Sequence, residues 1–181
     1  METTALKLAT KRVVLDLDRC VECRSCAAAC HYSHADMPAV HFARAGWAML
    51  PIICRQCKDA PCVDACPAEA MVRDEQGVVR RRMFRCTGCG SCATACPFGA
   101  ISAELCGVPA GHRSANRMSG HLVGKCDLCE DRLAGSDGAV PRCVAACPAG
   151  ALLFMDEQEA QRRHIDIIGG RTACENPYKR R

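Results

Sequence analysis

The chain has 181 residues, a formal charge of +4 at pH 7, eighteen cysteines and only 4% aromatic residues. So much cysteine signals disulfides or metal, and so few aromatics leave little to fill an ordinary core. Residues 1–12 carry neither an apolar signal segment nor a twin-Arg pair, and the apolar run Ala149–Met155 is far too short to span a membrane. A secreted disulfide framework and a membrane anchor are therefore not expected, and the reading is a soluble cytoplasmic metal protein.

In chain order, Val13–Asp18 alternates apolar and polar residues as a strand does. It leads into the first cysteine motif, Cys20-x2-Cys23-x2-Cys26-x3-Cys30, which ends on His31 rather than proline. The second motif is Cys54-x2-Cys57-x4-Cys62-x3-Cys66-Pro67. After it, Ala70–Arg73 and Val78–Arg81 flank Asp74-Glu75-Gln76-Gly77 and read as a hairpin. The third motif, Cys86-x2-Cys89-x2-Cys92-x3-Cys96-Pro97, follows the basic run Arg80, Arg81, Arg82 and Arg85. A Gly/Pro/Ser/Arg insertion, Ala103–Gly120, precedes the fourth motif, Cys126-x2-Cys129-x13-Cys143-x3-Cys147-Pro148. Asp156–Ile168 reads as a helix stopped by Gly169-Gly170, and a basic tail, Arg171–Arg181, closes the chain.

The run C-x2-C-x2-C-x3-C-P is the bacterial ferredoxin pattern, in which the fourth cysteine ligates the other cluster of a pair. The spacing lets three cysteines wrap one cubane on a tight loop, while the fourth opens a helix reaching toward a second. Extra residues in motifs two and four, at Lys58–Pro61 and Glu130–Arg142, are tolerated because lengthening a loop costs little entropy. Zinc sites use C-x2-C pairs but have no need of the third and fourth cysteines or of three Cys-Pro steps. With sixteen thiolates and four oxidised cubanes, the holo-protein carries about −4, so the basic pI argues for no nucleic-acid partner.

The phrases Cys66-Pro67-Ala68-Glu69-Ala70, Cys96-Pro97-Phe98-Gly99-Ala100 and Cys147-Pro148-Ala149-Gly150-Ala151 form an internal repeat, each read as a short helix, a turn and a strand start. Motifs can pair sequentially or in a nested order. Pro51–Ser102 looks like an entire two-cluster ferredoxin, with nineteen residues between Cys66 and Cys86, which favours nesting of motifs one and four around it.

Over Cys20–Cys147 the chain resembles the four-cluster iron–sulfur subunits of molybdenum or tungsten oxidoreductases, hydrogenases and carbon monoxide dehydrogenases. Cys54-Arg55-Gln56-Cys57 and Lys125-Cys126-Asp127-Leu128-Cys129-Glu130-Asp131-Arg132 carry the resemblance, together with the proline-free end of motif one. It implies four [4Fe–4S] clusters in crossed pairs. One would take Cys54, Cys57, Cys62 and Cys96, and its neighbour Cys86, Cys89, Cys92 and Cys66. The outer pair would take Cys20, Cys23, Cys26 and Cys147, and Cys126, Cys129, Cys143 and Cys30. The implied fold is α+β, with two bacterial-ferredoxin-like lobes of βαβ pseudo-repeats bearing long cluster-binding loops.

The expected organisation is one compact unit. Its inner lobe is 48–103 and its outer lobe 10–47 plus 121–155, with the insertion 103–120 and a C-terminal helix and basic tail at 156–181. The expected function is single-electron relay without catalysis of its own, since no nucleotide loop or nucleophile–base pair is present. The catalytic partner would be a molybdenum or tungsten oxidoreductase of anaerobic metabolism, with a lean to the tungsten aldehyde oxidoreductase type. Alternatives are a hydrogenase, formate dehydrogenase or carbon monoxide dehydrogenase subunit, or a stand-alone polyferredoxin. A flavin-containing or other subunit would accept the electrons, and head-to-tail self-association through the insertion and tail is a further expectation. Cys106 and Cys174 read as bystander thiols. His31, His34 and His41 read as surface histidines or hydrogen-bond partners of ligands, and Trp47 as a packing residue.

Overall fold

The computed structural model describes residues 11–34, 39–101, 124–133, 138–163 and 165. The insertion 103–120, the tail 171–181, Cys106 and Cys174 lie outside these residues. Six strands form three two-stranded antiparallel sheets among the described residues. Strand β1 (Lys11–Leu15) pairs with β6 (Leu152–Asp156), Lys11 opposite Asp156 and Leu15 opposite Leu152. Between them, β2 (His41–Ala45) pairs with β3 (Ala48–Ile52), and β4 (Met71–Arg73) with β5 (Val79–Arg81).

The helices are short apart from α1 (Ser25–His34). They are α2 (Pro61–Asp64), α3 (Ser91–Ala95), α4 (Glu130–Leu133), α5 (Arg142–Ala145) and α6 (Glu157–Arg162). Helix α1 packs on α5, and α5 on β6, while α6 covers both β1 and β6. Likewise α2 packs on α3 and β4. Elements from early and late in the chain thus pack on one another, and so do elements from its middle.

Helix order differs from expectation. In motifs two, three and four a short helix lies before the fourth cysteine and carries the third, so Cys62, Cys92 and Cys143 are helical and buried. The cause is the proline that follows. A residue preceding proline is driven out of the α region, and Cys96 accordingly sits at φ −74°, ψ 113°. Cys30 has no proline after it, and α1 runs on through His31, Tyr32, Ser33 and His34.

Strand boundaries also move: β1 begins at Lys11 and stops at Leu15, because Asp16 to Arg19 turn into the first cysteine loop. Asp156 ends β6 and serves as the cap of α6 instead of starting a helix. Trp47 is 91% exposed at the tip of the β2–β3 hairpin, so it does not pack. Its neighbour Gly46, at φ 64°, supplies the left-handed turn residue that places the indole outside.

The core consists of small apolar residues and sulfur. Among the described residues, eight of the twenty-four buried apolar ones are cysteines. One cluster gathers Val13, Leu15, Val40, Val78, Leu128 and Leu152 around Cys26, Cys30, Cys54, Cys126 and Cys143. A smaller one sets Met71, Val79 and Ile101 around Cys62 and Cys92.

Candidate metal centres

Three cavities of nearly equal size open among the cysteines. Cys20, Cys23, Cys26 and Cys147 line a space of about 340 Å³ including its mouth. Cys66, Cys86, Cys89 and Cys92 line one of about 320 Å³, and Cys54, Cys57, Cys62 and Cys96 one of about 330 Å³. The remaining cysteines form a fourth group: Cys143 is close enough to Cys129 and Cys30 for their charges to raise its pKa, and it acts in the same way on Cys126. No group comes from one motif alone. Each is completed by a cysteine from another: Cys147, Cys66, Cys96 and Cys30.

Local sequence explains how these sulfurs are held. In the repeated Cys-Pro phrases the residue three beyond the cysteine donates to its carbonyl, at 3.2 Å for Glu69, 3.3 Å for Gly99 and 3.2 Å for Gly150. All three residues have positive φ, between 50° and 61°. That turn aims the next amide back at sulfur: Ala70 N donates to Cys66 Sγ at 3.2 Å, Ala100 N to Cys96 Sγ at 3.4 Å and Ala151 N to Cys147 Sγ at 3.3 Å. Cys30 lacks the phrase, yet Ala39 N donates to its Sγ at 3.3 Å. All four donor alanines are buried.

The loops between the first and second cysteines share another device. Glu22, Gln56, Gly88 and Leu128, each two residues after its motif's first cysteine, all have positive φ between 51° and 71°. Only one of them is glycine, so three side chains sit in a conformation that costs roughly 1–2 kcal/mol. Strain of this kind persists where its surroundings enforce it. Glycine content alone does not signal this turn, since three of the four positions carry side chains.

Burial raises the pKa of the deepest thiols. Cys26 and Cys62 are pushed up to about 11 and Cys143 to about 12, while Cys126 goes well above its ordinary value. A metal ligand must be the thiolate, so holding these sulfurs ionised at depth requires a compensating positive charge. Cys23 and Cys89 are exposed, and hydrogen bonds with Ser25 and Ser91 lower their pKa instead. Equivalent serines therefore stand at the two exposed cysteines among the described residues.

Charged side chains tie the groups together. His34 Nε2 meets Asp127 Oδ1 at 3.3 Å, and His34 Nδ1 lies 3.7 Å from Cys30 Sγ. The hydrogen bond to Asp127, followed by that to Cys30, holds the imidazole protonated with a pKa of about 11. His31 is exposed against Tyr32, and His41 Nε2 lies 2.6 Å from the Gly99 carbonyl. Gln56, 1% exposed, donates to the Cys126 carbonyl and accepts from Val79 N, both at 2.8 Å. Lys125 Nζ reaches Cys54 Sγ at 3.4 Å, the Val79 carbonyl at 2.6 Å and the Cys126 carbonyl at 2.9 Å. Asp131 and Arg142 form a two-pronged pair at 3.0 and 2.6 Å that closes the long loop of motif four. From the basic run, Arg80 pairs with Asp74 and Glu130, while Arg82 and Arg85 are exposed.

Two family models match the chain, a 4Fe-4S dicluster domain over residues 45–157 and a 4Fe-4S binding domain over residues 17–33. The Electron transport protein HydN of Escherichia coli is 34% identical over 164 residues, covering 83% of this chain and 90% of the relative. The Thiosulfate reductase electron transfer subunit PhsB of Salmonella typhi is 35% identical, with 81% and 77% covered. An Iron-sulfur protein of Rhodospirillum rubrum is 37% identical over 155 residues, with 77% and 78% covered. No helix among the described residues is long and apolar enough to cross a membrane.

Proposed function

Because the chain belongs to the 4Fe-4S dicluster family of electron-transfer iron–sulfur proteins, we propose that its sixteen motif cysteines hold four [4Fe–4S] clusters in a single row. The observation that carries this reading is that four cysteines converge in each of three cavities of matching size, every set drawn from two motifs. The ligand sets are Cys66, Cys86, Cys89 and Cys92; Cys54, Cys57, Cys62 and Cys96; Cys30, Cys126, Cys129 and Cys143; and Cys20, Cys23, Cys26 and Cys147. When bound, [4Fe–4S] clusters supply one-electron redox chemistry at potentials tuned by charge, hydrogen bonding and exposure.

The order of the row follows from neighbouring cysteines. Cys62 and Cys96 pack in one cluster with Cys92 and Cys66, Cys54 is near Cys126, and Cys143 is near Cys26. The second and third sets are therefore interior, and the first and fourth are the ends. Each end carries an exposed ligand, Cys89 at one and Cys23 at the other. Exposed apolar side chains stand beside both: Met83 and Phe84 near the first, Val21 near the second. Such side chains suit contact with redox partners, and the arginines around Phe84 favour an acidic surface there.

On this reading the fold comprises an inner ferredoxin-like lobe, 48–103, and an outer lobe, 10–47 plus 121–155. Pairing of β1 with β6 and of β4 with β5 supports that division. The chain performs no catalysis itself and serves a catalytic oxidoreductase subunit at one end and an electron acceptor at the other.

Anaerobic purification followed by iron and sulfide analysis tests the cluster count, with about sixteen of each expected. A folded protein with about eight iron rejects the four-cluster row. Native isolation tests the partner, since a subunit brings a catalytic chain with it and a diffusing carrier does not.

A further inference from the structure

A lysine ammonium has three N–H donors and no acceptor. At Lys125 all three have a target, and the targets come from three different segments: a cysteine sulfur of motif two, a carbonyl of β5 and the carbonyl of the first cysteine of motif four. The side chain is partly buried and cannot swing without giving up these three contacts. Its charge is thereby fixed at the junction between the two interior cysteine sets, with Cys54 on one side and Cys126 on the other. Gln56 spans the same junction through neutral hydrogen bonds to the same two backbone segments, at Val79 and Cys126. A mechanical tie alone therefore has no need of a cation here. What the ammonium adds is a positive charge next to sulfurs that become more negative when an electron arrives.

We infer that Lys125 is a positioning residue for electrons: it raises the reduction potentials of the two interior clusters together, so that electrons rest in the middle of the row. The two end clusters lie beyond its contacts and keep their own potentials. This inference rests on the four-cluster reading, and the iron content of the unaltered protein tests that reading separately. Reduction adds one electron to a cluster and breaks no bond. The ammonium favours the reduced state because attraction between opposite charges grows with the added negative charge.

The test is a redox titration of the anaerobically purified holo-protein followed by electron paramagnetic resonance. Lys125→Met keeps the length of the stem and removes the charge, and Lys125→Arg keeps the charge. For Lys125→Met, the oxidised-to-reduced ratio at fixed potential should rise about tenfold for two clusters, which is about 59 mV for a one-electron couple. The other two clusters should not move, and Lys125→Arg should stay near the unaltered protein. Four unchanged potentials in an iron-replete Lys125→Met protein overturn the inference, as does an equal shift of all four. Lys125→Gln keeps N–H donors without charge and covers the case in which Lys125→Met loses iron. Full iron with two lowered potentials in Lys125→Gln supports the inference. Full iron with unaltered potentials, or loss of iron from both neutral variants while Lys125→Arg stays replete, shows an assembly tie and overturns it.

Discussion

Single backbone positions carry much of the site's geometry. The residue three beyond each Cys-Pro cysteine must be left-handed, and two of the three positions use glycine where Glu69 does not. Replacing Gly99 by Ala meets open space, so its cost is backbone strain alone, about 1 kcal/mol. Glu69→Gly should act in the opposite sense and stabilise by about the same amount, since the exposed contact of Glu69 with Arg85 is worth little. Thermal unfolding of the two holo-proteins under argon checks both directions at once. Gln56 is a harder case. Gln56→Leu removes two buried hydrogen bonds and strands the Val79 amide, while the Cys126 carbonyl keeps Lys125, so it should destabilise by about 2 kcal/mol. A melting point unchanged from the parent would show that water or a rearranged loop replaces the amide. The demand on these residues was only partly readable. Glycines in the repeated phrase announce a turn, but Glu22, Gln56 and Leu128 adopt the same backbone sign with side chains that give no hint of it.

Proline decides where the short helices stop. Cys66, Cys96 and Cys147 precede proline and lie beyond their helices, while Cys30 precedes His31 and stays within α1. His31→Pro should impose the common pattern on motif one, at a helix cost of about 3 kcal/mol. The last turn of α1 would be lost, and with it the link from His34 to Cys30 and Asp127. Iron should fall by about a quarter, to about twelve atoms, with a single cluster missing from the spectrum. Loss of all sixteen would mean that the last turn of α1 is needed for the whole chain to fold. Cysteine spacing made the four motifs legible because each ligand set needs its loop length, and the Asp74–Gly77 turn made β4–β5 legible. The β2–β3 hairpin was not. Its arms are rich in alanine, and its turn signal is Gly46 alone, followed by a tryptophan that reads more naturally as core. The helices precede the fourth cysteine, where the repeated phrase carries no signal, because that phrase begins only with the cysteine itself.

For the molecule as a whole, stability and metal are one quantity. A core in which a third of the buried apolar residues are cysteines has little to hold it once the sulfurs lose their iron. Anaerobic treatment with an iron chelator should therefore abolish the far-ultraviolet circular dichroism of the sheets in parallel with the cluster absorption. Retention of native dichroism after complete iron loss would overturn that coupling. Contact with a partner is separable from this. Phe84→Ser, at a fully exposed side chain, should leave iron content and melting unchanged while slowing electron exchange with an acidic redox partner. Rates equal to the parent would place the docking surface elsewhere. The pairing of β1 with β6 also has a consequence in time. Residues 11–15 meet their partner only when residues 152–156 have been made, and Cys20, Cys23 and Cys26 must wait for Cys147. At translation speeds of about 5–20 residues per second, the first motif stands without its last sulfur for several seconds after it is synthesised. Motifs two and three are complete well before that wait ends, so the order in which the sites can be filled runs from the middle of the chain outward, and the motif made first is among the last to close.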